Sequence, residues 1–403
     1  MRPAFLIAMM CLAEIAGMLG VFTFPALLPA FMVEWGLSSS EAGWISGIYF
    51  LGYMVAALVL VTLTDWIDPR RIYLVCMALT VVAIGGFGIL AQGFWSALAL
   101  RALAGVGLAG TYMPGLKALS DLIEGPAQSR AISFYTSSFG IGSALSFYLA
   151  GIIGPALDWR MAFYIAAGGP LAALAIVTLV LPANPPLPRD GPRNISREFL
   201  TAIRNRRAMG YTLAYMVHNF ELFGFRSWLV AFLTFNAAFQ PEGTSWLSAT
   251  ELTAIVTLLA LPASVTGNEL SVRFGRRRVV CAVMTASALL GMGFGFTGQW
   301  PFIWVALLSL VYGATVMGDS SSITAGTVQE ANPEVRGVTM AVHAAVGFIG
   351  SFLGPLIFGV ALDLGGGGEE PAAWGFAFAT LGVVVALGPL FVLALSGGPA
   401  REA

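Results

Sequence analysis

Charge is scarce in this chain. Only 10% of its 403 residues are Asp, Glu, Lys or Arg, and 58% are hydrophobic. A soluble domain carries about 25% charged residues, so the deficit excludes an ordinary soluble protein and points to a chain solvated by lipid. The net charge of −1 offers no basic surface to nucleic acid, and no nucleic-acid partner is expected. Histidine and cysteine are scarce too, with two and three copies. His218 and His343 fall in different apolar segments, and Cys11, Cys76 and Cys281 lie far apart, so no metal-ligand spacing arises. Neither a metal nor a cofactor is expected. A G-x-x-x-x-G-K-S/T phosphate loop is lacking, which argues against an ATPase. An intramembrane enzyme would need a clustered nucleophile and base that two separated histidines do not supply.

Long apolar runs are abundant. A helix needs about 20 such residues to cross a bilayer. Twelve spans are expected on that basis, at roughly 4–31, 41–64, 72–93, 95–119, 130–155, 160–181, 208–237, 246–267, 277–297, 300–328, 336–362 and 372–396. The runs lack the period-two alternation of membrane strands, and backbone polar groups in lipid need internal partners. The expected fold is therefore an all-α membrane protein. The first run carries Glu14 and is too long for a signal-peptide core, so it is expected to be a retained helix.

Arginine sets the orientation, because cytoplasmic loops collect Lys and Arg. Arg70, Arg71, Arg130, the arginines between 189 and 207, Arg273, Arg276, Arg277, Arg278 and Arg336 all fall on one side with both chain ends. Arg160 falls on the other. Both termini are expected in the cytoplasm of a bacterial inner or plasma membrane protein. The polar stretch "PANPPLPRDGPRNISREFLTAIRNRR" (182–207) is Pro-rich, then basic. It divides the chain into an N-terminal six-helix bundle (1–185), a cytoplasmic linker (186–207) and a C-terminal six-helix bundle (208–403). Ser196 is placed to cap a short surface helix, and the basic linker suits anionic lipid.

The halves repeat. "VTLTDWIDPRRIYL" (61–74) joins spans two and three, and "GNELSVRFGRRRVV" (267–280) joins spans eight and nine. One register places Arg70 on Arg277, Arg71 on Arg278, Asp65 on Val272 and Glu14 on Glu221, the last within "EIAG" and "ELFG". "PAQSRAI" (126–132) matches "PEVRGVT" (333–339) and pairs Arg130 with Arg336. Secondary transporters are often built from such repeats around a midplane site.

At these motifs the chain resembles the major facilitator superfamily, which carries G-x-x-x-D-R/K-x-G-R-R/K between spans two and three and a relaxed copy between spans eight and nine. The second copy here holds Gly267, Glu269, Arg273, Gly275, Arg276, Arg277 and Arg278, with Val272 in place of the acid. The first keeps Asp65, Arg70 and Arg71, while Val61, Trp66 and Asp68 depart from the pattern. "RALAGVGLAGTYMPG" (101–115) resembles the fourth-span pattern, and "GSFLGP" (350–355) in span eleven resembles G-x-x-x-G-P. "GIIGP" (151–155) sits late in span five, which counts against a drug antiporter. The resemblance covers essentially the whole chain. It implies twelve helices as two six-helix repeats, with spans one, four, seven and ten lining a central cavity and the halves rocking between two states. The loop charges would latch one state and release in the other.

A few charges lie inside spans, where each is costly and marks function. They are Glu14 in span one, Arg101 in span four, Glu221 and Arg226 with His218 and Asn219 in span seven, Asp319 in span ten and His343 in span eleven. "HNFELFGFRSW" (218–228) gathers four of them on one side of one helix. Glu221 and Arg226 are badly spaced to pair with each other, so Arg226 is expected to find Glu14 or Asp319. Removal from water favours the neutral form of a carboxyl, the property a proton carrier needs. Glu221, Glu14 and Asp319 are the candidates, with His218 as relay. "GDSSSITAGT" (318–327) surrounds Asp319 with hydroxyls that would either bind a polar solute or pack helices. The aromatic residues Phe22, Tyr112, Phe220, Phe225 and Trp228 would stack on a ring or fill the core. The function expected is import of a small, anionic metabolite coupled to H⁺ (or Na⁺) by a monomer in the lipid bilayer. An exporter of amphipathic compounds is the alternative. A non-transporting receptor or assembly factor on the same scaffold is a third class.

Overall fold

The computed structural model describes residues 3–185, 195–241 and 244–395. The first part of the linker, 186–194, lies outside the described residues, as does the side chain of Ser196. The described chain is helical, with no strand among the described residues.

The first span is broken into α1 (Pro3–Gly17), a 3₁₀ turn, α2 (Thr23–Ala26) and α3 (Leu28–Trp35). Then follow α4 (Ser39–Leu63), α5 (Pro69–Leu90), α6 (Phe94–Leu122), α7 (Pro126–Ala156) and α8 (Trp159–Val180). The short α9 (Ile195–Arg204) precedes α10 (Arg206–Ala238), α11 (Ala249–Phe274) and α12 (Arg276–Phe294). The tenth span is α13 (Phe302–Gly318) and α14 (Ser320–Glu330), the eleventh α15 (Arg336–Leu364), and the twelfth α16 (Pro371–Val385) and α17 (Leu387–Leu395). Eleven of these spans are long and apolar enough to cross a membrane. The twelfth, α10, has spanning length at 33 residues but carries the charged cluster. The chain is a multi-pass, twelve-span membrane protein.

Local chemistry accounts for several boundaries. Ser38 and Glu41 form a reciprocal capping box at the start of α4: Glu41 Oε2 accepts from the Ser38 backbone N–H at 2.9 Å, and Ser38 Oγ accepts from the Glu41 N–H at 3.2 Å. Ser248 and Glu251 do the same before α11, at 2.8 and 3.2 Å. The second and eighth spans thus start with the same device. α3 ends on Gly36 in the left-handed region at φ 59°, and the next N–H, of Leu37, returns to the Met32 carbonyl.

By packing, the chain divides into two compact units. One comprises Met1–Arg189 and Arg226–Leu258, the other Asp190–Phe225 and Leu259–Ala403. In the first, α1 packs on α7 and α8, and α6 on α4 and α5. Leu6, Met10, Tyr73, Met77, Leu119, Tyr135 and Val177 form a core there. The spaced glycines of "RALAGVGLAG" serve close approach. Gly105 faces the backbone of Tyr49 and Gly110 faces Cys76, with no room for a side chain. In the second unit, α12 packs on α16 and α15 on α16. Val217, Val280, Met284, Ile323 and Val385 form its core.

The loop motifs act at helix ends, and they act alike in the two units. Arg70, at the start of α5, donates through Nη2 to the Thr178 carbonyl in the last turn of α8, 2.8 Å away. Arg277, its repeat partner at the start of α12, donates to the Leu393 carbonyl in the last turn of α17 at 3.1 Å. Each fills an acceptor that a helix terminus leaves open. Asp68 caps α5, accepting from the Arg70 N–H at 2.9 Å and from the Asn184 N–H at 3.1 Å. Arg276 bridges Asn268, the Ser322 carbonyl and Gln329. Gly267 lets α11 touch the backbone of Gly318. Arg71, Arg130, Glu269, Arg273, Arg278 and Arg336 are at the surface, as is Val272, while Gly275 opens α12 at φ 93°.

Candidate functional site

The polar residues of span seven are all buried: His218, Asn219 and Glu221 are at most 3% exposed and Arg226 is 7% exposed. Packing holds their backbone. Gly350 and Gly354 of "GSFLGP" lie against the backbone of Met216 and Phe220, where any side chain on α15 would collide with α10. Gly347 likewise gives space to the Tyr215 ring and the Asn219 amide.

In the second unit these residues meet partners on three other helices. His218 Nδ1 lies 2.8 Å from Asp319 Oδ1, close enough for an ion pair but without the geometry of a hydrogen bond. Tyr215, one turn before His218, stacks on both histidines. Its ring centroid is 4.1 Å from that of His343 and 5.9 Å from that of His218. His343 Nδ1 is 3.0 Å from Thr327 Oγ1. The Nε2 atoms of both histidines are buried and have no hydrogen-bond partner among the described residues. Glu221 Oε1 accepts from Ser287 Oγ at 2.8 Å and from Tyr312 Oη at 3.0 Å. Around Tyr312, Phe225, Phe294 and Phe378 pack as an aromatic cluster.

The hydroxyl run after Asp319 serves mostly as helix packing. Ser321 meets Ser264 at 2.6 Å, Ser322 meets Ser271 at 2.7 Å, and Thr327 turns to His343.

In the first unit, Glu14 is 2% exposed, and its Oε2 accepts from Tyr135 Oη at 2.9 Å. Its Oε1 has no hydrogen-bond partner among the described residues. Arg101 sits at the break in span one. Pro25 has no N–H to give the Val21 carbonyl, four residues back, and Arg101 Nη1 fills that acceptor at 2.8 Å. The Phe22 N–H, also left over at the break, goes to Ser146 Oγ at 3.0 Å. The Arg101 guanidinium lies over the Tyr49 ring at 4.3 Å.

Arg226 finds neither expected carboxylate: Asp319 faces His218 and Glu14 faces Tyr135. Among the described residues no ion pair or hydrogen bond holds its guanidinium, which lies 6.0 Å from the Phe22 ring centroid. Phe22 stacks on Phe147 at 4.8 Å. The other singled-out aromatics, Phe220, Phe225 and Trp228, are core residues, and Tyr112 packs on Tyr135 and Phe139. Separately, an apolar cavity of about 370 Å³ lies between α7 and α11, lined by Ile141, Leu145, Tyr148, Ala254, Ile255 and Leu258; it holds none of the candidate residues.

The partners Tyr135, Tyr312, Ser287 and Ser146 escaped sequence reasoning, since each lies at least 66 residues from the group it serves. Tyr215 carried a usable signal, because Tyr215, His218 and Asn219 fall at i, i+3 and i+4 on one helix face.

Comparison with known proteins gives a consistent assignment. The family model described as "Major Facilitator Superfamily" matches residues 10–248. The human "Protein spinster homolog 1" is 27% identical over 337 residues, covering 76% of this chain; the chain spans only 60% of that relative. The "Niacin transporter NiaP" of Acinetobacter baylyi is 21% identical over 372 residues, 84% of this chain and 82% of the relative. The "3-(3-hydroxy-phenyl)propionate transporter" of Escherichia coli is 26% identical over 366 residues, 89% of this chain and 84% of the relative. The crystal structure of the nucleoside transporter NupG superposes with a TM-score of 0.77 at 14% identity, over 99% of this chain and all of that one. That likeness shows the fold.

Proposed function

The chain belongs to the major facilitator superfamily of membrane transporters, and from that premise we propose that it imports a small aromatic carboxylate together with protons by alternating access. The carrying observation is a set of buried ionisable groups without countercharge. Arg226 has no carboxylate, and Glu14 and Glu221 have no cation, within 4.0 Å among the described residues. A buried charge without a partner is strongly unfavourable, so such an arrangement is maintained for something that comes and goes.

Arg226 suits the anionic group. Its planar fork matches a carboxylate, and the Phe22–Phe147 stack beside it suits a ring. The names of the Acinetobacter and Escherichia relatives, both aromatic acid carriers, favour the same class. Glu14 and Glu221 suit the proton. Each is met by hydroxyls alone, and a hydroxyl donates to a carboxylate yet accepts from a carboxylic acid. Their pockets therefore accommodate both protonation states, which an arginine partner would prevent. On this reading residues 186–207 link an N-terminal bundle (1–185) to a C-terminal one (208–403), both ends face the cytoplasm, and the host membrane is a bacterial inner membrane.

The test uses proteoliposomes of the purified chain, acidic outside, offered radiolabelled benzoate or 3-phenylpropionate. Uptake that rises with the inward proton gradient, carries protons with it and disappears in Glu221→Gln is expected. Uptake indifferent to the gradient, with Glu221→Gln unchanged, would reduce the reading to uniport. No uptake of any aromatic acid would remove the substrate class.

A further inference from the structure

The short helix α9 carries an apolar row without protein cover. At about 100° per residue, Phe199, Ile203 and Leu200 share one sector of the helix, Arg204 and Arg197 lie along its far edge, and Thr201 and Glu198 continue round to the opposite side. Ala202, on the other flank, is 1% exposed where α9 packs on α15 and the turn Pro333–Val335. Phe199, Leu200 and Ile203 are 48%, 45% and 41% exposed, and Arg197 and Arg204 are exposed beside them.

Its neighbours fix the level at which this row sits. One residue after α9, the spanning helix α10 begins. The residue between them, Asn205, donates through Nδ2 to the Glu330 carbonyl at 2.6 Å, the last residue of α14. Arg207 reaches the Glu330 carboxylate at 3.8 Å. The helix also lies against the start of α15. The ends of three spanning segments therefore gather around α9, which places it at the boundary between hydrocarbon and water.

We infer that α9 is a membrane-surface helix that binds anionic phospholipid: Phe199, Leu200 and Ile203 enter the leaflet, and Arg197 and Arg204 hold headgroup phosphates. An apolar row bordered by arginines reproduces the profile of a lipid, acyl chain next to phosphate, which is the pattern of helices that lie in the interface. Guanidinium groups match phosphate with paired N–H donors, and basic side chains near the surface favour anionic lipids. Thr201 and Glu198 lie on the side of α9 away from the apolar row.

Full-length protein in phosphatidylcholine vesicles with and without phosphatidylglycerol provides the test. Nitroxide labels at Leu200→Cys, Ile203→Cys and Thr201→Cys, in a background with the three native cysteines replaced by serine, report depth through collision with oxygen or a water-soluble nickel chelate. Oxygen access should dominate at 200 and 203 and chelate access at 201. Equal chelate access at all three overturns the inference, and labels shielded from both reagents would mean that protein, rather than lipid, covers the row. Spin-labelled phosphatidylglycerol should be enriched at the wild-type protein relative to phosphatidylcholine, and about twofold less so in Arg197→Gln/Arg204→Gln. Unchanged enrichment, with the same melting temperature, overturns the headgroup role.

Discussion

At the residue scale, Arg226 separates binding from folding. Its guanidinium makes no ion pair among the described residues, so Arg226→Gln is expected to leave the melting temperature within a few degrees of wild type. A hydrogen bond to a charged group is worth about 1.5–3 kcal/mol, so affinity for benzoate should fall about 10- to 100-fold. Arg226→Lys should recover only part of it, because an ammonium lacks the fork. Calorimetric titration with benzoate and with neutral benzamide checks this: the loss should appear for the acid and not for the amide. A second prediction concerns Glu221. Ser287 and Tyr312 both donate to the same Oε1, so the single variants Ser287→Ala and Tyr312→Phe should each slow proton-driven uptake less than the double variant does. Uptake rates of all three against wild type test that ordering. The charged residues themselves were legible from sequence, because each stands out in an apolar helix. Their partners were not. A serine or tyrosine in a membrane helix is unremarkable until the fold brings it within 3 Å of a carboxyl 66 or 91 residues away.

At the element scale, hydropathy alone predicts the spans and hides their breaks. Span one reads as one apolar run, yet it turns at Met18–Gly20 and again at Leu27. Pro25 was the visible clue, since its missing N–H leaves the Val21 carbonyl open. What could not be read was that Arg101, 80 residues on, supplies the donor. Arg101 is thereby a positioning residue for the break. Arg101→Leu removes a charge-assisted hydrogen bond and orphans a buried carbonyl, and it should destabilise the protein by about 2 kcal/mol. Arg70→Gln, losing a similar bond in an exposed setting, should cost well under half of that. Thermal unfolding of the two variants in one detergent gives the comparison; equal losses would mean that the break does not depend on Arg101.

At the scale of the whole molecule, the repeat announced by the sequence has physical content. Two S-x-x-E capping boxes start spans two and eight, and Arg70 and Arg277 bind the last turns of spans six and twelve. The match of Glu14 to Glu221 goes only as far as the carboxyl. One is held by Tyr135 on α7, the other by Ser287 and Tyr312 on α12 and α13, so the copies keep their helix ends and have diverged in their interiors. The arginine distribution then puts both chain ends on the cytoplasmic side. A fluorescent protein that matures only in the cytoplasm, fused at either end, should therefore be bright in both fusions. Alkaline phosphatase, active only outside, should gain activity when inserted in the turn between Ala156 and Trp159, where Asp158 and Arg160 form an exposed ion pair at 3.7 Å. A dark fusion at one end with a bright one at the other would require an odd number of crossings. That would break the six-plus-six repeat, since α10, the one spanning-length helix with a buried charged cluster, would then have to lie outside the bilayer.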